Sequence, residues 1–154
     1  LSALNAVGVV SCCLYNPVDS GRIAVVKGRG NLLNTGAANI NLRWGIGDVA
    51  NITTPNTQHF LRDTRVPPGT TTARPVCTLG SFAGVNALAI HDEVLVPNTA
   101  FNNVVAYANE KFDTELVISP GFTATVQIDV ANVILRASFF WYERSLLNQE
   151  QLSG

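Results

Sequence analysis

Apolar and polar residues alternate with period two along much of this chain, and no long stretch holds an apolar repeat of 3.6 residues. Ile40, Leu42, Trp44 and Ile46 alternate with Asn41, Arg43, Gly45 and Gly47. This predicts a half-buried strand with its even residues inward. In the same way Ala124, Val126, Ile128 and Val130 are expected to face in, and Thr125, Gln127 and Asp129 to face out. Val133 to Arg144 predicts the longest and most apolar strand. Its odd face (Val133, Leu135, Ala137, Phe139, Trp141) reads as core. Its even face (Ile134, Arg136, Ser138, Phe140, Tyr142, Arg144) mixes arginine with aromatics, as an interface does.

Further strands are predicted at Val7 to Tyr15, Arg22 to Asn34, Val94 to Val96, Val104 to Asn109 and Glu115 to Ile118. Gly28 and Gly30 are expected to bend the second of these, because glycine inside a strand often marks a bulge. The turns are marked by residues that favour them: Asn16-Pro17-Val18-Asp19-Ser20-Gly21, Asn34-Thr35-Gly36 and Ser119-Pro120-Gly121-Phe122. The last is expected to close Glu115 to Ile118 onto Thr123 to Val130 as a hairpin-like unit. Many short strands with such turns predict an all-β, two-sheet antiparallel sandwich of jelly-roll or immunoglobulin-like type, with short-range strand pairing.

The middle of the chain breaks this pattern. Residues 47–75 are rich in Thr, Pro and Asn, and Pro55, Pro67, Pro68 and Pro75 argue against regular central strands. The segment is read as a long irregular arm or lid, over the sandwich or a neighbour, carrying Arg62, Arg65 and Arg74. Residues 1–144 then form a single sandwich domain. The polar tail, residues 145–154, is expected to be a short helix or disordered.

The chain's 154 residues suffice for one domain with its own core. Hydrophobic residues make up 47% and charged residues 14%, against about 25% charged in a typical soluble domain. That excludes a disordered chain and implies a surface not meant for water alone. A net charge of −1 argues against a nucleic-acid partner. No uncharged apolar run approaches the ~20 residues of a membrane span, so no membrane partner is expected. Met is absent and Leu1 is read as an internal residue of a longer chain. Val9-Val10-Ser11-Cys12 only loosely imitates a lipoprotein cleavage site, with no basic leader before it. Cys12, Cys13 and Cys77 lack zinc-ligand spacing, and buried thiols are expected rather than a disulfide framework.

No catalytic pattern emerges. His91-Asp92-Glu93 is the one dense polar cluster, and His59 is the only other histidine. Consecutive strand residues alternate faces, so the three do not converge by themselves. They are read as a solvated loop before Val94 to Val96, with no metal and no cofactor. No G-x-S-x-G sequence exists, and Gly28-Arg29-Gly30 and Gly45-Ile46-Gly47 lie in strands rather than at a strand-to-helix turn. The chain is therefore read as not an enzyme. The candidate interface residues are Arg62, Arg65, Arg74, Arg136, Phe140, Tyr142 and Arg144. The arginines qualify because a guanidinium pairs bidentately and tolerates partial burial.

Two stretches carry a resemblance. Asn16-Pro17-Val18-Asp19-Ser20-Gly21-Arg22 leads through a long strand to Leu33-Asn34-Thr35-Gly36, and Leu116-Val117-Ile118-Ser119-Pro120-Gly121-Phe122 leads through Val126 to Val130 to a closing strand ending at Glu143. Over about half its length the chain resembles small β-sandwich virion structural proteins of tailed bacteriophages, the head decoration (cement) proteins and modules of tail fibres and baseplates. Phe122 after Pro-Gly and the long 47–75 insertion depart from that pattern. The resemblance implies virion localisation, a homo-oligomer, and partnership with the major capsid protein or other virion proteins. It implies no catalytic residue. The alternatives are a tail module that binds a receptor or carbohydrate, and a small jelly-roll enzyme using His59, His91 and Asp92.

Overall fold

The computed structural model describes residues 2–3, 10–34, 38–48, 55–56, 74–78, 89–98, 106–130 and 133–147. Among them are eleven strands and no helix: β1 (Ser2–Ala3), β2 (Val10–Tyr15), β3 (Arg22–Asn34), β4 (Ile40–Asp48), β5 (Pro55–Asn56), β6 (Arg74–Thr78), β7 (Ala89–Val96), β8 (Ala106–Lys111), β9 (Leu116–Ile118), β10 (Phe122–Ile128) and β11 (Leu135–Ser145). They form two antiparallel sheets. Sheet A runs β1-β11-β3-β8, with β9 also on β3; sheet B runs β5-β6-β2-β10-β4-β7. The all-β sandwich expected from the alternation is the fold.

The core lies between the sheets. From sheet B it takes Cys12, Leu14, Ile40, Leu42, Trp44, Ala124, Val126 and Ile128, and from sheet A Ala24, Val26, Leu32, Leu116, Ile118, Leu135 and Ala137. Trp44 is its centre. The indole is fully buried, stacks on Phe112 with ring centroids 5.5 Å apart, and lies tilted against Phe139. Its Nε1 donates to the Thr114 carbonyl at 3.1 Å, so the ring's polar edge is satisfied inside the core.

Sheet A faces Trp44 with glycine. A Cβ on Gly28 would lie 2.7 Å from Trp44 Cζ3, and one on Gly30 would lie 3.1 Å from Leu42 and Val126. The β3–β11 register runs unbroken from Leu32↔Leu135 to Arg22↔Ser145. The expected bulge at these glycines is therefore absent. They are needed because bulky side chains from sheet B press on the β3 backbone. The bulge sits instead in the β4–β7 pair, between Trp44 and Gly45, where Trp44 opposes Asp92 and Gly45 opposes Ile90. Beyond that point the inward alternation of β4 slips: Gly45 and Gly47 are buried and Ile46 only half-buried.

Connections mostly pass from one sheet to the other. Among the described strands only β5 and β6 are both consecutive and paired. The expected short-range pairing is thus replaced by long-range pairing, β2 with β10 and β3 with β11. The hairpin expected around Ser119-Pro120-Gly121-Phe122 is corrected in the same way, because β9 pairs with β3 in sheet A while β10 lies in sheet B. The turn explains it. Phe122 N donates to the Ser119 carbonyl and Gly121 takes φ +88°, a type II arrangement with Pro at the second position and Gly at the third. Unprimed turns of this kind splay the flanking strands instead of pairing them.

Asn16 ties this arch to the β2–β3 arch. It is buried, and its Nδ2 donates to the Arg22 carbonyl at 2.7 Å and the Ile118 carbonyl at 3.1 Å. Its backbone N–H donates to the Phe122 carbonyl and its carbonyl accepts from Gly121 N–H.

Several boundaries shift. The first predicted strand is described from Val10, and the predicted strand at 104–109 runs to Lys111. The predicted arm is narrower than 47–75: β4 continues to Asp48, Pro55 lies in β5, and Arg74 and Pro75 open β6. Both prolines obey the edge rule. β5 is an edge strand, and Pro75 lies where β6 has β2 on one side but is not reached by β5, which pairs only with Cys77 and Thr78. The rest of the arm, including Arg62 and Arg65, lies outside the described residues, as does the tail beyond Leu147.

Thr125 and Gln127 are buried, not outward, together with Thr123 and Ser11. Thr123 and Thr125 share a 3.0 Å hydroxyl hydrogen bond, and Gln127 Nε2 donates to Ser11 Oγ on the neighbouring strand. β10 is an interior strand, and its second face is removed from solvent as fully as its first. Cys12 and Cys13 are buried thiols.

Candidate interaction surface

The strand registers assemble one exposed surface, the outer face of sheet A. β11 points its even residues there, as expected from the sequence. Phe140 is 64% exposed and Tyr142 60%, and Arg136 and Ser138 are exposed beside them. Arg144, at the end of β11, is half-buried.

The cross-strand partners complete the surface in rows. Tyr142 opposes Val25, which opposes Val117 of β9. Phe140 opposes Lys27. Ser138 opposes Arg29, which opposes Lys111 of β8. Arg136 opposes Asn31, which opposes Asn109. Successive rows are two residues apart, about 7 Å along the strands. One part of the face is therefore apolar, with the exposed side chains Tyr142 and Val117 and the half-buried Arg144 in the row beyond, and the opposite end is basic.

The basic end is only partly neutralised. Lys27 pairs with Glu115 at 3.1 Å, both side chains half-exposed. Lys111 approaches Asp113 at 3.9 Å, with both groups largely in solvent. Such pairs hold little net attraction. Among the described residues neither Arg29 nor Arg136 has an ion pair. Over β3, with Phe140 of β11 and Lys111 of β8 in its lining, lies a shallow groove of about 270 Å³, lined also by Lys27, Gly28 and Arg29.

Of the candidate interface residues, Arg136, Phe140 and Tyr142 thus share one face. Arg74 begins β6 in sheet B, opposite Tyr15, so it does not join them. Arg62 and Arg65 lie outside the described residues. Lys27, Arg29, Lys111 and Val117 are additions. The polar positions of β3 at Lys27 and Arg29 carried a signal, since they alternate with Gly28 and Gly30. Lys111 carried none, because its pairing with Arg29 joins positions far apart in the chain.

The His91-Asp92-Glu93 cluster lies within edge strand β7, correcting the expected loop. His91 is the extra residue of the bulge, exposed to solvent. Glu93 accepts from Arg43 Nε, and Arg43 also reaches Asp129 at 3.4 Å. Asp129 in turn accepts from the Asn41 backbone and side chain. Glu93 is therefore committed to a structural network on sheet B. Among the described residues no group of His, Cys, Asp and Glu could hold a metal ion. His59 lies outside them. Charges and a bulge on an edge strand are the devices that stop edge-to-edge pairing of sheets.

Comparison with protein-family models, curated proteins and solved structures finds no match.

Proposed function

We propose that this chain is a non-enzymatic structural protein that docks on other proteins through the outer face of sheet A. The observation that carries the reading is the pair Phe140 and Tyr142, two large aromatic side chains more than half exposed on a rigid strand of a two-sheet sandwich. Exposed aromatics beside arginine are the usual anchors of protein interfaces. The low charge of the chain supports the same reading.

The setting proposed, from the resemblance of its turn-and-strand pattern, is a virion, with the chain acting as a head decoration (cement) protein. Such a protein clamps neighbouring capsid subunits and adds buried area that resists internal pressure. Its partners would be the major capsid protein and further copies of itself in a symmetric oligomer. The same exposed aromatics favour a second reading, a tail fibre or baseplate module that stacks a carbohydrate, since sugar rings also bind aromatic faces.

Co-sedimentation with undecorated capsids of the parent virus tests the first reading. The chain is expected to bind at a stoichiometry set by shell symmetry, and Phe140→Ser combined with Tyr142→Ser to lose binding while staying folded. Wild-type protein that fails to sediment with shells but binds on a glycan array would overturn the cement reading in favour of the second.

A further inference from the structure

The basic end of the sheet A face has a chemistry of its own. Arg29 and Lys111 are direct cross-strand neighbours, and Arg136 lies one row further along. Arg29 and Arg136 have no carboxylate partner among the described residues, and Lys111 has only the loose approach of Asp113. Lys27 is already matched by Glu115. The uncompensated positive charge is thus local, in a chain whose formal net charge is −1. Arginine presents a planar fork that takes a carboxylate through two parallel hydrogen bonds. Phe140 lines the same shallow groove as Arg29 and Lys111, so an apolar contact lies beside the two cations.

We propose that this groove receives a carboxylate side chain from an extended acidic-apolar segment of the docking partner, which rests on the proposal that this face docks on protein. The register sets the spacing of that segment. Arg29 marks the carboxylate row and Val25 the apolar row of Tyr142 and Val117. The two rows are four residues apart along β3, about 13 Å. A strand-like partner would therefore place an acidic side chain and an apolar side chain four residues apart. A nucleic acid or sulfated polymer would need a broad positive field, and here Glu115 and the apolar row interrupt it.

The test uses the full chain and a nine-residue peptide with two glutamates followed, four residues on, by Leu-Val. Backbone amide NMR shifts report binding. Shifts are expected at Lys27, Arg29, Lys111, Phe140 and Val117. Arg29→Ala with Lys111→Ala is expected to weaken binding about tenfold, while an unchanged spectral dispersion shows that the fold is kept. The proposal is overturned if the peptide moves none of these amides, or if a lysine-for-glutamate peptide, heparin or a single-stranded oligonucleotide moves them as strongly. If the charge variant binds the peptide like the wild type while Phe140→Ser with Tyr142→Ser does not bind, the carboxylate site falls and the docking face stands. If neither variant weakens binding, both fall.

Discussion

Gly28 has no room for a methyl group. A Cβ there would lie within 3.0 Å of three ring atoms of Trp44, and Trp44 cannot retreat, being stacked on Phe112, set against Phe139 and bonded to the Thr114 carbonyl. In an ordinary strand, replacing glycine by alanine is favourable because it restrains the unfolded chain. Here the sign reverses. Gly28→Ala is expected to destabilise the fold by about 1–3 kcal/mol, the usual range for overpacking, read as a lower denaturant midpoint at unchanged slope. Asn16 is a second single residue with a disproportionate role, since one amide group spans the Arg22 and Ile118 carbonyls. Asn16→Ala leaves both without that donor and is expected to cost about 1–3 kcal/mol by the same measurement.

At the scale of elements, β7 and β11 present opposite solutions to exposure. β7 is an edge strand with Ile90 and Leu95 exposed, yet it carries His91, Asp92 and Glu93 and a bulge. These features make it a poor template for another strand. Replacing His91 and Asp92 by threonine keeps the Arg43–Glu93 pair but removes two of those protections. The double variant is expected to associate in a concentration-dependent way, seen as rising mass by light scattering where the wild type's mass is constant. β11 is flanked by β1 and β3, and the charges of its outer face, Arg136 and Arg144, lie on either side of the aromatic pair. Phe140 and Tyr142 stand out there without a charge between them on the strand, the feature on which the proposed docking rests.

For the molecule as a whole, nearly every pairing joins distant parts of the chain: β2 with β10, β3 with β11 and β4 with β7. Loop closure must precede most of the contacts that reward it, which slows folding. Refolding from denaturant is expected on the millisecond-to-second scale typical of β-sandwiches, measured by stopped-flow Trp fluorescence, since buried Trp44 reports on the assembled core. A microsecond phase carrying the full amplitude would contradict this topology. The same topology braces the outer face of sheet A, where docking is proposed. β3 joins β11, β8 and β9 into one platform, so the rows that would meet a partner are held by backbone ladders rather than by loops.

Local sequence was enough to determine the all-β class, the strand Arg22–Asn34, and the inward faces of β4, β10 and β11, because period-two alternation is a local consequence of strand geometry. It also marked Phe140 and Tyr142 as outward, since their neighbours on the same strand are apolar and inward. Strand pairing, by contrast, came from contacts between distant segments. Gly28 and Gly30 read as a bulge until Trp44 and Leu42 arrived from the other sheet to occupy their space. Thr125 and Gln127 read as solvent-facing because alternation reports two sides of a strand, not whether both are covered. Ser119-Pro120-Gly121-Phe122 was legible as a turn, but its role as an arch between sheets depends on handedness and on the partners that β9 and β10 find. The basic groove is the plainest case. Arg29 and Lys111 belong to separate strands, and no local pattern places them side by side; the ladder between β3 and β8 does.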